Sequence, residues 1–543
     1  MAIFLNQLGF VPGELKLAHA TEGEESFEIR NAWGKAIITG RFSMPRYDEA
    51  SGCTVATADF TSLEQEGQYT FISGESSASF RVAPNIYNAV GDALYKSFYY
   101  FRCGCDLLPE FAGAYAHKAC HTEPAVVFGM DTKVDVSGGW HDAGDYGRYP
   151  APGVKAVADL LYAYEMNPLA FSRPVGIPDS SSRIPDVLTE ARYELEYLLK
   201  MQTAEGSVYH KSTPMRFCGM IMPEEEKEQM VLIPPDTVAT ADVAAVMAIA
   251  CRVYEPFDSA FSDRCKQAAF AAYDYLSAHP EAVLPGRNPE GMNTGTYGDS
   301  CDKDERAWAA AAMYRLTNET KYLDESERYF AELEEMRASN NVGNSKWMDT
   351  MALGWSSMGG YVMMSVVFNS GADSMNPFYQ KMRARLIAAA DDFLAISKRS
   401  AFGVSLSPSD YVWGSNMNVM NNAVVLMLAY KLTGAQQYRD AAVQQWNYLL
   451  GDNPTGYCYV TGFGSKQVMH PHHRPSEADG VEAPVPGMVS GGPNAGLHDA
   501  VAKEKCIGLA PACCFVDETP SYSTNEVAIY WNSPAVLAWA LMF

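Results

Sequence analysis

The chain has 543 residues, 48% of them hydrophobic and 20% charged, a composition of globular type and a length that allows more than one domain. Its formal charge, 41 − 65 = −24, repels nucleic acid and anionic membranes, leaves a neutral sugar indifferent and attracts a cationic one. No stretch approaches about 18 uninterrupted apolar residues, so no membrane span is predicted.

Met1 to Phe10 lacks the basic start and apolar run of a signal peptide and reads as a strand. A cytoplasmic location is expected if Met1 is the natural start, and a secreted one if a leader has been removed. Short alternating runs beginning at Ile3, Leu15, Ser26, Ala36, Thr54, Gly67 and Ser79 are divided by turns, which predicts a small β-sandwich over residues 1–84. Beyond Pro84 the apolar residues recur at helical spacing. They predict helices over 86–108, 152–165, 184–203, 237–254, 259–278, 304–316, 320–338, 355–369, 377–397, 416–433, 435–450 and 528–542. Twelve helices suit a toroid of paired inner and outer helices. The intervening loops 109–151, 204–236, 279–303, 398–415 and 451–527 are long and rich in Trp, Tyr, His, Asp and Gly, so they read as walls of a site. Twelve cysteines are spread without the spacing of a disulfide scaffold, which points to a reducing compartment.

One of these loops, Gly138-Gly139-Trp140-His141-Asp142-Ala143-Gly144-Asp145-Tyr146-Gly147, sets two carboxylates three residues apart. Asp and Gly are poor helix formers, so it can aim both into one cleft. Neighbouring carboxylates do not readily ionise together unless a cation or hydrogen-bond donors compensate, which suits a general base acting on water. A capped turn or a calcium loop is the plainer alternative. The late loop carries His470-Pro471-His472-His473-Arg474, and Asn525-Glu526 precedes an apolar helix. Glu526 alone reads as a helix-start glutamate favoured by the dipole.

Taken in order, the Asp142-to-Asp145 loop, the His470-to-Arg474 segment and the Asn525-Glu526 end resemble glycoside hydrolase family 9. The resemblance covers nearly the whole chain and takes in Asn6-Gln7-Leu8-Gly9-Phe10 and Trp413-Gly414-Ser415-Asn416. It implies a mainly α fold, an (α/α)6 barrel over 85–543 preceded by an immunoglobulin-like β-sandwich over 1–84. It also implies inverting hydrolysis of β-1,4-glucosidic bonds in cellulose or soluble β-glucan. Asp145 matches the general base, Asp142 the carboxylate that helps hold the attacking water, and Glu526 the general acid. Inversion needs acid and base about 6.5–9.5 Å apart with room for water. Glu526 must keep its proton near neutrality, so an enclosed, partly apolar setting is expected, with Tyr522 and Trp531 nearby. His472 and Arg474 match sugar-binding residues, with a structural hydrogen-bond cluster as the alternative. Trp413 reads as a stacking platform or a core tryptophan, and Tyr530 is counted among the substrate-binding residues.

Cys103, Cys120, His121 and His141 make a Cys2His2 set suited to tetrahedral zinc with no open position, hence structural. The spacing is not that of a zinc finger, and four unrelated buried residues are the alternative. Family members with the same N-terminal module carry structural zinc at positions these four resemble. Asp299, Asp302, Asp304 and Glu305 supply hard oxygens suited to calcium, although acidic residues at a helix start are favoured anyway. Asp304 and Glu305 resemble the family's calcium-binding pair, and Asp349 resembles a more distant ligand. The expected activity is that of an endo-β-1,4-glucanase acting as a monomer on a β-1,4-linked glucan. The alternatives are an exo-acting glycosidase on cellodextrins or glucosamine oligosaccharides, and a non-catalytic sugar-binding protein. A zinc hydrolase is opposed by the closed ligand shell.

Overall fold

The computed structural model describes residues 2–21, 25–181, 183–339, 352–369 and 371–543. Two four-stranded antiparallel sheets occupy the N-terminal segment. One runs β1 (Ala2–Phe4), β2 (Leu17–Thr21), β6 (Cys53–Asp59), β5 (Arg46–Asp48). The other runs β4 (Ala36–Arg41), β3 (Ser26–Asn31), β7 (Gly67–Ser73), β8 (Ser76–Val82). Tyr69, Phe71 and Ser73 of β7 are buried while the residues between them are not, the period of two that predicted the sandwich. Phe10, Ile29, Ala58, Phe60, Phe71 and Val82 form its core.

Twelve helices of nine residues or more follow among the described residues, and two kinds alternate along the chain. Pro150–Met166, Thr237–Tyr254, Lys303–Thr317, Gly359–Val367, Ser415–Thr433 and Ile529–Met542 are buried over most of their circumference. Asn88–Tyr100, Asp186–Met201, Ser259–Ala278, Thr320–Ser339, Pro377–Arg399 and Gln436–Leu449 keep a wetter face. Helices apolar all round belong in a core, and amphipathic ones cover them. Thr237–Tyr254 is long and apolar enough to cross a membrane by length and composition, yet 94% of it is buried inside the protein. It carries Thr240, Asp242 and Arg252 and has the character of a core helix.

The chain forms two compact units, one of Met1–Ser97 with Ala389–Phe543 and one of Phe98–Ala388. Within the first, the sandwich is fastened to the late helices by buried polar groups. Asn6 donates to Asn447 Oδ1 (2.9 Å), His19 Nδ1 pairs with Asp452 Oδ1 (2.7 Å), and Arg439 Nε reaches both Glu14 oxygens at 3.1 Å. Ser415–Thr433 packs on Gln436–Leu449 and Ile529–Met542. Within the second unit, Thr237–Tyr254 packs against Pro150–Met166, Ser259–Ala278 and Lys303–Thr317.

The second unit also holds a sheet where loops were predicted. β9 (Ala125–Val127), β10 (Lys133–Val134), β11 (Val208–Thr213) and β12 (Val231–Asp236) are ordered β10-β9-β12-β11, with β9 and β12 parallel. These strands are short, and the pairing that joins their two halves, Val126 of β9 to Val231 of β12, spans about a hundred residues. The sequence around each carries no local pairing signal, because strand preference is set by the neighbours a strand meets.

Candidate active site and metal centres

The loop 138–147 is irregular, as its Asp and Gly content predicts, and it is held from behind. Trp140, 1% exposed, donates its amide to Glu194 Oε2 (2.6 Å) and its indole N–H to Glu190 Oε1 (3.0 Å). Both glutamates stand on the helix Asp186–Met201, and Glu190 also takes a forked hydrogen bond from Arg102 at 2.7–3.1 Å. Gly139 has φ +75°, and a Cβ there would lie 2.6 Å from the Tyr197 ring, so the loop's approach to this helix requires glycine.

Asp142 and Asp145 are 2% and 8% exposed. The Asp142 amide donates to Gly147 O (2.9 Å), and the Gly147 amide returns to Asp145 Oδ2 (3.0 Å), which closes the turn. A Cβ on Gly147 would fall 2.8 Å from Asp145 Oδ2. The Tyr297 hydroxyl donates to Asp142 Oδ2. Tyr297 has φ +44°, unusual for a bulky residue, and its ring packs on Tyr149 and Trp355 at 4.5 and 4.8 Å. Sequence reasoning did not single out Tyr297. The composition of loop 279–303 marked it as a site wall, and nothing more local marks the residue.

Cys103, Cys120, His121 and His141 converge, with one potential ligand atom from each lying within 4.8 Å of all the others. Cys103 Sγ lies 3.9 Å from Cys120 Sγ and 3.6 Å from His121 Nδ1, and Cys120 Sγ lies 3.6 Å from His141 Nε2. A tetrahedral ion bound at about 2.3 Å to sulfur and about 2.1 Å to nitrogen sets such atoms about 3.6–3.8 Å apart. The separations therefore suit one small cation. Burial opposes the Cys103 thiolate, but the Cys120 hydrogen bond and the Arg148 and His141 charges hold its pKa well below the usual thiol range. Burial takes the His141 imidazole down to about 4, so it is neutral, as a ligand must be. The backbone ties this cluster to the loop 138–147, with Cys103 N donating to Gly139 O and His141 N to Phe101 O, both at 2.8 Å.

The acidic cluster differs from the set read in the sequence. Asp299 Oδ2 and both carboxylate oxygens of Glu305 are buried without a hydrogen-bond partner among the described residues. So are both oxygens of Asp242, a residue the sequence reading missed because it lies sixty residues earlier on the helix Thr237–Tyr254. Burial pushes the Asp304 carboxyl upward, and burial with neighbouring carboxylates pushes those of Asp242 and Glu305 upward and that of Asp299 up to about 7. Such a concentration of buried acid calls for a cation to offset it. Asp302 is engaged through one oxygen only: its Oδ2 pairs with Arg306 Nε (2.7 Å) and accepts from Thr237 Oγ1 (2.7 Å), while its Oδ1 is buried without a partner among the described residues. Asp349 lies outside the described residues.

The first unit carries the late residues. Glu526 does not begin the terminal helix. It is an extended residue (φ −64°, ψ 158°) between the short helix Tyr522–Asn525 and the helix Ile529–Met542. It is half-buried, and its carbonyl accepts from the Gly491 amide (2.8 Å). Asn525 clamps this segment: its amide group donates to His470 O (2.7 Å) and Asp517 Oδ1 (3.0 Å), and its oxygen accepts from Ser490 Oγ (3.0 Å). His472 lies alongside, its amide donating to Asn525 O (2.9 Å) and its Nδ1 donating to Thr519 O (2.7 Å). Burial lowers the His472 pKa, so the ring is neutral and Nε2 is left as an acceptor. Arg474 is 6% exposed and begins a short helix. Trp413, 40% exposed, is not a core tryptophan: its ring lies 5.4 Å from Tyr522, which is 37% exposed, and 6.0 Å from His498. Tyr530 and Trp531 are buried at 9% and 2% exposure, and Trp531 packs where Cβ atoms on Gly414 and Gly491 would fall.

Comparison with known proteins places these features. Residues 1–77 match the cellulase N-terminal ig-like domain, and residues 87–539 match glycosyl hydrolase family 9. The chain is 37% identical to a cellodextrinase of Butyrivibrio fibrisolvens over 99% of its own length and 98% of the relative's. It is 37% identical to a single-mutant thermostable endoglucanase from Alicyclobacillus acidocaldarius, with a TM-score of 0.91, covering 100% of this chain and 99% of that one. A Zn-binding triple mutant of GH family 9 endoglucanase J30 is 32% identical with a TM-score of 0.88, covering 98% of this chain and 99% of that one. The fold is thus an (α/α)6 barrel preceded by an immunoglobulin-like domain, and the chain belongs to glycosyl hydrolase family 9.

Proposed function

We propose that this glycoside hydrolase is an inverting endo-β-1,4-glucanase, with Asp145 as general base, Asp142 sharing the hold on the attacking water, and Glu526 as general acid. The observation that carries the reading is the Asp142–Asp145 turn. Both carboxylates are nearly buried, the Gly147 amide fixes one oxygen of Asp145, and the Tyr297 hydroxyl fixes one of Asp142. A base held this way loses little freedom when it takes a proton from water. His472, Arg474, Trp413 and Tyr530 bind the sugar. A glucan chain offers flat CH faces to an indole such as Trp413 and hydroxyl donors to a neutral acceptor such as His472 Nε2. The domain boundary falls after residue 84, between the end of β8 at Val82 and the helix that starts at Asn88.

A second reading is exo action on cellodextrins, supported by the name of the Butyrivibrio fibrisolvens relative. A product time course on carboxymethyl-cellulose and cellopentaose, with anomers followed by NMR, separates the two. Rapid viscosity loss with mixed products that start as α-anomers is expected for the inverting endo enzyme. Slow viscosity loss with one small product from cellopentaose would establish exo action instead. Initial β-anomers would sink the inverting assignment, and no cleavage of either substrate would sink both readings.

The Cys2His2 cluster holds zinc. Four protein donors complete the shell that zinc takes in structural sites and leave no position for a reacting water, so the ion is structural and braces the loop that carries Asp142. The acidic cluster holds calcium through Asp299, Asp304 and Glu305, with Asp242 added to the set. Hard, partnerless carboxylate oxygens are what that cation takes. Dialysis against EGTA is expected to lower the melting temperature by at least about 5 °C, and calcium to restore it. A melt unmoved by either treatment would remove calcium from the account.

A further inference from the structure

Asp142 and Asp145 lie side by side in a poorly hydrated turn, and two such carboxylates resist joint ionisation unless donors or a cation offset them. The donors are the Tyr297 hydroxyl and the Gly147 amide. The cation comes from β11. Arg148, directly after the catalytic loop, pairs with Ser212 of that strand, N to O at 3.0 Å and O to N at 2.9 Å. That register sets Lys211 opposite Tyr149, and Lys211 Nζ lies 5.7 Å from the centre of the Tyr149 ring.

Lys211 is 1% exposed. Its Nζ donates to Asn288 Oδ1 (2.6 Å), Gly295 O (2.6 Å) and Thr294 Oγ1 (3.4 Å). All three acceptors are uncharged, so they fix the ammonium without neutralising it. Burial drives its pKa down to about 8, with the Asp145 charge pulling the other way. It is therefore cationic over the acid and neutral range. Among the described residues, the titratable groups that bear on Asp145 include Asp142 from its own loop, Tyr149, whose hydroxyl and Asp145 Oδ2 would both lie within 2.8 Å of a Cβ on Gly147, and Lys211 from β11 behind Tyr149. Tyr297 stands against Asp142, and the adjacent His210 turns to Thr296 O and Asp236 instead. Lys211 is the cation of this set.

We infer that Lys211 is a positioning residue of the hydrolysis: its ammonium, fixed behind Tyr149 by Asn288, Thr294 and Gly295, keeps Asp145 ionised as the general base. This rests on the assignment of Asp145. A fixed positive charge favours the carboxylate over the carboxylic acid. Its loss therefore raises the pH at which Asp145 becomes competent.

The test is the pH dependence of kcat/KM on barley β-glucan for wild type, Lys211→Met, Lys211→Arg and Asn288→Asp, with Asp145→Asn as control. In Lys211→Met the acid limb is expected to move up by about one pH unit, about a tenfold loss on that side, with the alkaline limb unmoved. Lys211→Arg is expected to return the limb towards wild type. A merely structural lysine would cut kcat at every pH and leave the limb in place, and that result in a folded Lys211→Met protein overturns the inference. Should Lys211→Met not fold, Asn288→Asp decides. It leaves the lysine in place but opposes its field, so an upward shift supports the inference and an unmoved limb overturns it. If Asp145→Asn keeps wild-type activity, the base assignment itself has failed, a result distinct from an unmoved limb in Lys211→Met.

Discussion

Asp145→Asn is expected to lower kcat on soluble β-glucan by about 10³-fold or more, with the melting temperature within about 2 °C of wild type. The side chain keeps its size and its place in the turn, where Gly147 N donates to Oδ2, but the amide cannot take a proton from water. Glu526→Gln is expected to fall as far on β-glucan for the opposite reason, since it cannot supply a proton to the leaving oxygen. The two variants separate on an aryl cellobioside with a dinitrophenolate leaving group, which departs without protonation. Glu526→Gln should recover most of its activity there, and Asp145→Asn should not. If both recovered together, or neither lost activity on glucan, the roles assigned to them would be wrong.

Cys120→Ser is expected to abolish stoichiometric zinc in the purified protein and to lower the melting temperature by at least about 5 °C. The loss should be larger than a cysteine truncation alone would give, because the remaining buried thiol and imidazoles would surround an empty centre. The damage should reach the reaction as well. His141 is the neighbour of Asp142, and Cys103 and His141 carry the backbone hydrogen bonds that join the loop to the segment at Phe101 and Cys103. A variant that melts like wild type, or a wild-type protein that contains no zinc, would contradict a structural ion.

How much of this could be read in the sequence depended on whether the determining contacts were local. The helices over 237–254 and 259–278 were legible to the residue, because Asp236 and Asp258 cap them with side chains that accept from Ala239 and Phe261. The Asp142–Asp145 turn was legible because its glycines announce an irregular backbone. The sheet of β9 to β12 was not, since its two halves are joined by one pairing, β9 to β12, that spans about a hundred residues. Separation along the chain also hid Tyr297, Lys211 and Asp242, none of which lies in a motif. Each acquires its meaning from a partner in another segment: Asp142 for Tyr297, Asp145 for Lys211, and Glu305 with Asp299 for Asp242. The acidic run 299–305 was visible as a cluster, but the sequence did not reveal that Asp302 spends one oxygen on Arg306.

The division of the chain also bears on the order in which it folds. Residues 98–388 form one unit from a continuous segment, whereas the other unit needs both the first 97 residues and the last 155 or so. Synthesis delivers these two pieces at opposite ends of the process. Until the C-terminal helices emerge, the ring of His19, the amide of Asn6 and the carboxylate of Glu14 wait without the partners they meet in the finished protein. The continuous unit can close on the ribosome while the sandwich holds an unfinished docking face, a long-range closure that is slow and open to misassembly. A truncation before Arg439 therefore costs more than Glu526. It leaves His19 and Glu14 without Asp452 and Arg439.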